Sequence, residues 1–252
     1  METRSPPRIF SRPRRITGLR RALVRQSQRD AARYIMDDMV EDVLERLEFM
    51  RLSPARVLVI GDWTGTLALS LRGNGAKVEE TDVRQLDEEA PLPSGPYELI
   101  VSLASLERVN DLPGALLHLR AALAKDGILI ASLIGAGSLP NLRRAMIAAE
   151  PDRPAPRMHP LVDNAAASAL MQRALFRRQV VDSRTLEVAF SSLDRLVSDL
   201  RDQGLTSSLS TQAPPLSRAA LEKARTAFVE GAGKQGRVTE AFEILTLTGW
   251  KD

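Results

Sequence analysis

Three short, largely apolar runs constrain this chain more than any other feature: Arg56 to Ile60, Tyr97 to Leu103 and Ile128 to Ile134. A strand with one wet face alternates apolar and polar residues. These runs do not alternate, so they fit parallel strands covered on both sides. Helical spacing separates and follows them: about 64–73 after the first, then Leu112, Ala115, Leu116, Leu119 and Leu123 after the second. A further strand over about 76–81 ends at Asp82. This alternation predicts an α/β fold with a doubly wound, mostly parallel sheet. Thr239 to Thr248 is expected to return as an antiparallel edge strand.

The 252 residues suit one large domain, able to bury roughly 70% of its unfolded surface. Residues 1–52 read as a basic arm and N-terminal helix, with Pro6, Pro7 and Pro13 in the arm and helical spacing over about 19–50. Residues 53–252 form the main domain, in which 138–235 is mainly helical. There, helices are expected at 139–150, 163–175, 192–203 and 217–231, and a strand at 178–190. Pro151, Pro154, Pro156 and Pro160 make a stiff connector.

Composition narrows the chemistry. The chain has no Cys, which removes disulfides, thiol nucleophiles and Cys-ligated metals. Its two His, His118 and His159, are too few and too far apart for a His-rich metal centre, so no metal site is expected. Aromatic residues are 4%, too sparse for base-stacking platforms, and nucleic acid is a poor partner. No apolar run reaches the ~20 residues of a membrane span, and a cytoplasmic bacterial protein is expected. Residues 1–33 carry ten Arg against Glu2 and Asp30. Such an arm suits an acidic protein, a phosphate backbone or an anionic membrane surface, resembles an Arg-rich transit peptide, or is simply a solvated extension.

Gly61-Asp62-Trp63-Thr64-Gly65 joins the first strand to a helix. Glycines let the backbone turn tightly beside a ligand, and the helix N-terminus offers N–H groups. Asp82, seventeen residues after Gly65, is placed where a carboxylate receives ribose hydroxyls, or caps a turn. Asn110 and Asp111 equally suit the start of the following helix. His159, alone between Met158 and Pro160, suits a structural role.

Longer stretches carry a resemblance. They are Gln28 to Ala32, Tyr97 to Leu103, Val109 to Leu116, Lys125 to Gly127, Leu139 to Arg143, Ala149-Glu150, Pro156-Arg157, Pro160 to Asp163, Gln172 to Ala174, Val181-Asp182, Asp199 to Gly204 and Leu247 to Trp250. In that order they resemble the class I S-adenosylmethionine (SAM) methyltransferases, within the branch of the mitochondrial complex I assembly factor 5 group. A carboxylate-methylating branch of biotin synthesis is a more distant cousin. The resemblance implies a Rossmann-like fold with a helical C-terminal elaboration. It also implies SAM contacts at Gly61, Asp62, Trp63, Thr64, Gly65, Asp82, Asp87, Glu88, Ser102 and Leu103. The branch is associated with arginine hydroxylation on a complex I subunit.

Three departures from the family pattern cluster on the cofactor side. Trp63 stands where a second glycine is usual, and Val59 near where an acidic residue is usual. Asp82 to Tyr97 is too short for a full helix-strand unit, so one βα element is reduced. Glu107-Arg108 replaces a His-Trp pair. On the substrate side the candidates are Glu107, Asn110, Arg143, Arg157 and Asp163, with surface ion pairs and helix caps as the competing explanation. Two functions follow: a SAM-dependent methyltransferase acting on a protein side chain during complex I assembly, or a non-catalytic assembly factor whose SAM site has degenerated. In both, a protein substrate or assembly partner is expected. The state of the space between Gly61, Trp63 and Asp82 decides between them.

Overall fold

The computed structural model describes residues 8–152, 155–233 and 236–252. Glu2, Pro6, Pro7 and Pro154 lie outside these.

From Ile9 onward the basic segment is tied to the rest of the fold. Pro13 sits in the first turn of α1 (Arg12–Arg25), where its missing N–H costs nothing. Its backbone is anchored at both ends of residues 9–11: Ser11 N–H donates to Ser208 O at 2.8 Å, and Ser210 N–H to Ile9 O at 2.8 Å. The chain then breaks before α2 (Tyr34–Phe49), so the single helical stretch expected over 19–50 is two helices. Their separation follows from the Gln28 to Arg33 segment, which supplies no apolar side chain larger than Ala. In α2, Ile35, Met36, Met39, Val40, Val43 and Leu47 lie buried along one stripe.

The sheet elements follow as β1 (Arg56–Ile60), α3 (Thr66–Gly73), β2 (Lys77–Thr81), β3 (Tyr97–Leu103), α4 (Leu112–Ala122) and β4 (Leu123–Ile134). Beyond them come α5 (Pro140–Ala149), α6 (Asn164–Arg173), β5 (Arg177–Phe190), α7 (Leu193–Asp202), α8 (Arg218–Val229) and β6 (Val238–Trp250). Strand order is β2-β1-β3-β4-β6-β5. β1, β2, β3 and β4 pair in parallel, whereas β6 is antiparallel to β4 and to β5. The C-terminal strand is thus antiparallel, but it is not the edge. Its outer side pairs with β5 from Arg177 to Phe190, and β5 holds the edge.

Burial on both faces explains the non-alternating runs. Val57, Val59, Leu99, Val101, Ile128 and Ile130 point into one core with α2, α3 and α7. Their neighbours Leu58, Ile60, Ile100, Leu129 and Ala131 point into the other with α4 and α6. Each fully buried large side chain contributes roughly 1.5–3 kcal/mol. Between β2 and β3 the described chain contains no helix, consistent with the short Asp82–Tyr97 interval. Without that unit, Glu88 is carried on a loop close to the carboxyl ends of the parallel strands, where ligands of such sheets bind.

Candidate functional site: a closed cleft beside an open pocket

At the carboxyl ends of β1 and β3, Gly61 adopts φ +88°, and a Cβ there would lie 2.3 Å from the Leu103 carbonyl oxygen. The neighbouring strand's backbone therefore demands this glycine, whatever binds nearby. Gly65, at φ +71°, opens α3. The N–H groups of the turn do not face a ligand. Asp62 captures them: its carboxylate accepts from Thr64 N–H (2.9 Å), Gly65 N–H (3.2 Å), Leu67 N–H (3.0 Å) and the Thr64 hydroxyl (2.5 Å). The N–H groups expected to be offered by the helix N-terminus are therefore engaged by Asp62 in this structure.

Asp82 is likewise engaged. It accepts from Arg84 Nε at 3.0 Å and Nη2 at 2.6 Å, and from the Arg84 backbone N–H at 2.8 Å. Partial burial opposes the charge, but these Arg84 bonds outweigh it and hold the carboxyl below its usual range. Asp87 is exposed and accepts from Glu89 N–H, away from the cleft. Ser102 is buried with no partner for its hydroxyl, and Leu103 lines the cleft.

The space itself is filled. Arg15, the fourth residue of α1, is 5% exposed and reaches Glu88, which is 0% exposed. Arg15 Nη2 lies 2.6 Å from Glu88 Oε1 and Nη1 3.2 Å from Oε2, a bidentate pair. Nη2 also donates to the Ser105 carbonyl at 3.2 Å. The Ser105 hydroxyl donates to the same Glu88 carboxylate. Arg108 closes the other side, donating to Ala104 O at 2.6 Å and Gly204 O at 2.9 Å. What remains between Gly61, Trp63, Asp82, Leu103, Arg15 and Arg108 is a cavity of about 40 Å³. Small-molecule sites occupy roughly 300–1,000 Å³. SAM therefore does not fit the residues as they stand, and Glu88, expected among the SAM contacts, is spent on an internal ion pair.

Beside the closed cleft, and sharing Arg108 with it, lies a cavity of about 670 Å³. Its walls are mostly aliphatic: Ile134, Leu139, Leu142, Leu161, Val197 and Leu221 are among them. Glu107 lies at its Arg108 end with both carboxylate oxygens unbonded and its residue 5% exposed. Burial pushes the Glu107 carboxyl above the usual range, against the pull of Arg108, whose Nε is 3.4 Å away. Arg157 also lines this pocket and pairs bidentately with Glu150 at 2.8 and 2.9 Å. Thus Glu107 and Arg157 are brought together, and three other candidates are not. Asn110 bonds both Phe10 N–H (2.7 Å) and Phe10 O (3.2 Å), pinning the segment before α1. Asp163 caps α6 through Ala166 N–H at 2.7 Å, and Arg143 is exposed on α5. His159 accepts from Ser208 N–H at 2.9 Å and stacks edge-on to Phe10 at 5.3 Å. Burial, with Arg108 nearby, lowers its pKa to about 4. Among the described residues no His, Asp and Glu group is arranged to hold a metal ion.

Arg15 was the functional-site residue least visible in the sequence. Arg15 is one Arg among ten in a segment read as a basic arm. The available signal was Pro13 at a helix start, with Arg15, Leu19 and Ala22 spaced onto one face.

A mostly parallel sheet flanked by helices, a glycine turn after β1, an acid after β2 and an antiparallel strand at the chain's end define a Rossmann-like methyltransferase fold. A methyltransferase-domain family model matches residues 27–192, and the chain belongs to that family. It is 25% identical to the mitochondrial arginine-hydroxylase NDUFAF5 of Rattus norvegicus, over 98% of this chain and 81% of that protein. It is 28% identical to the malonyl-[acyl-carrier protein] O-methyltransferase of Halorhodospira halophila, over 92% of this chain and 88% of that one. In fold it resembles a methyltransferase of Bacillus halodurans (TM-score 0.51, 12% identity, 82% and 98% coverage). It also resembles the [4+2]-cyclase SpnF (TM-score 0.51, 15% identity, 98% of both chains). No described helix is long and apolar enough to cross a membrane.

Proposed function

We propose that this protein is a non-methylating member of the methyltransferase family. Its own N-terminal helix occupies the cofactor cleft, and the neighbouring apolar pocket is its working site. The observation that carries this reading is the buried Arg15–Glu88 pair filling the space between β1, β3 and α1. An assembly or interaction role follows the similarity to the arginine-hydroxylase relatives, with a protein partner as the object.

A second reading has its own support. Gly61, Asp82 and Leu103 still converge on the residual cavity, so withdrawal of α1 would restore a family-like cleft for SAM-dependent methylation. Calorimetric titration of the full chain with SAM separates the two. The first reading expects no heat at ~1 mM ligand, corresponding to binding weaker than about 4 kcal/mol. It also expects none for Arg15→Gly. Saturable binding by the unmodified chain would overturn it, and binding gained only in Arg15→Gly would favour the second.

A further inference from the structure

The 670 Å³ pocket has a neighbour, a second concavity of about 740 Å³ along α1, and Arg201, Thr206 and Ser207 line both. The two differ in character. The pocket walls are aliphatic and their charges compensate one another. Arg157 pairs with Glu150, Asp194 with Arg225, and Glu107 faces Arg108. His159 accepts a hydrogen bond as a neutral ring. Arg201 is the exception: its guanidinium has no ion-pair or hydrogen-bond partner among the described residues, and it lines both the pocket and the groove. Thr206 and Ser207 are exposed beside it.

The groove continues this positive rim. Arg14, Arg20 and Arg21 line it, and none has a side-chain partner among the described residues. Val24, 73% exposed, adds an apolar surface at its far end. Arg25, the other arginine there, is bonded to Asp202 and Ser198. An apolar chamber with compensated walls and an uncompensated cationic mouth selects a molecule with the opposite polarity at each end. Guanidinium groups favour oxyanions, phosphate above all, through bidentate charge-assisted bonds. Four unpaired arginines with two hydroxyls offer more donors than a single carboxylate can use.

We propose that pocket and groove form one binding site for a phosphate-headed amphiphile, its alkyl or acyl chain in the pocket and its phosphate at Arg201 and the α1 arginines. The site belongs to the pocket that the proposed function takes as working site. Its failure would be distinguishable from failure of the closed-cleft reading, because neither SAM nor Arg15 enters the test.

The probe is decyl phosphate below its micellar concentration, titrated into the full chain, with inorganic phosphate and decanol as separate arms. Saturable binding of decyl phosphate, at least about tenfold tighter than either half-molecule, is expected. Arg201→Glu should weaken it about tenfold, and Leu216→Trp, which fills the pocket from a part-exposed position, should abolish it. Leu221→Trp repeats the test should Leu216→Trp melt early. Vesicles of phosphatidylglycerol and phosphatidylcholine then separate sources. Phosphatidylglycerol binding lost in both variants assigns a membrane lipid, and capture of the monomer alone assigns a free alkyl phosphate. Absence of decyl phosphate binding overturns the proposal. So does binding matched by inorganic phosphate, or by duplex DNA, and unchanged by both pocket-filling variants, because that would describe a basic surface only.

Discussion

Replacing Arg15 with Ala should destabilise this protein far more than a typical arginine substitution. Glu88 is 0% exposed and receives two guanidinium bonds, at 2.6 and 3.2 Å, leaving the Ser105 hydroxyl as its other partner. Removing the guanidinium strands a carboxylate in a site without water access. Breaking one side of a buried pair costs about 3–5 kcal/mol, most of it the penalty of the orphaned charge. A surface pair, by comparison, is worth ~0–1 kcal/mol. For a chain of this size each kcal/mol shifts the melting midpoint by roughly 2–4 °C, so Arg15→Ala should lower it by roughly 6–20 °C. Arg15→Met with Glu88→Gln removes both charges while keeping volume and should recover at least about half of the loss. Urea denaturation followed by far-UV circular dichroism measures both variants. A loss below ~1 kcal/mol for Arg15→Ala would place Arg15 at the surface and refute the closed cleft, as would a double variant no better than the single one.

Acid should weaken the anchor of α1. His159 has a folded pKa of about 4 against an ordinary 6.5, so the unfolded chain takes up the proton first and stability falls as pH drops from about 6.5 to about 4. The upper bound is ~3 kcal/mol, and the part-open ring reduces the loss at pH 5 to ~1–2 kcal/mol. Denaturation midpoints at pH 7 and 5 check it, with His159→Gln expected to flatten the slope and an unchanged slope counting against the assignment. Gly61→Ala combines φ +88° with a Cβ 2.3 Å from Leu103 O and should cost more than ~1–3 kcal/mol, a near-neutral thermal shift being the contrary result. Glu240 is buried on β6 and accepts from Leu142 N–H (2.8 Å) and Asn141 N–H (3.2 Å) at the start of α5. Glu240→Ala should cost ~1–3 kcal/mol in thermal denaturation, with Glu240→Gln milder; equal melting of both would show that the cap carries no charge-assisted bond.

The fold was legible wherever a pattern repeats over many residues. The apolar runs of β1, β3 and β4 announced a sheet covered on both faces, and the short interval after Asp82 announced a missing helix. Which strand held the edge was not legible. β6 is antiparallel as expected, but its pairing with β5 is a long-range choice that no local pattern encodes. The site was harder still. Its decisive contact joins Arg15 to Glu88 across seventy-three positions, and a lone Arg in a basic segment looks the same whether buried or solvated. Asp62 and Asp82 had the right chemistry for a cofactor, and that same chemistry let them satisfy their own turns instead. Trp63, in place of the family's second glycine, was one of three departures in the sequence that pointed to an altered cleft.

Hydrogen exchange of the α1 backbone amides, from Ile16 to Leu23, with and without SAM at ~1 mM reports most directly on who occupies the cleft. With α1 locked by Arg15 on Glu88, protection should be the same in both conditions. Loss of protection across α1 on adding SAM would contradict this account, because the cofactor could enter only by displacing that helix.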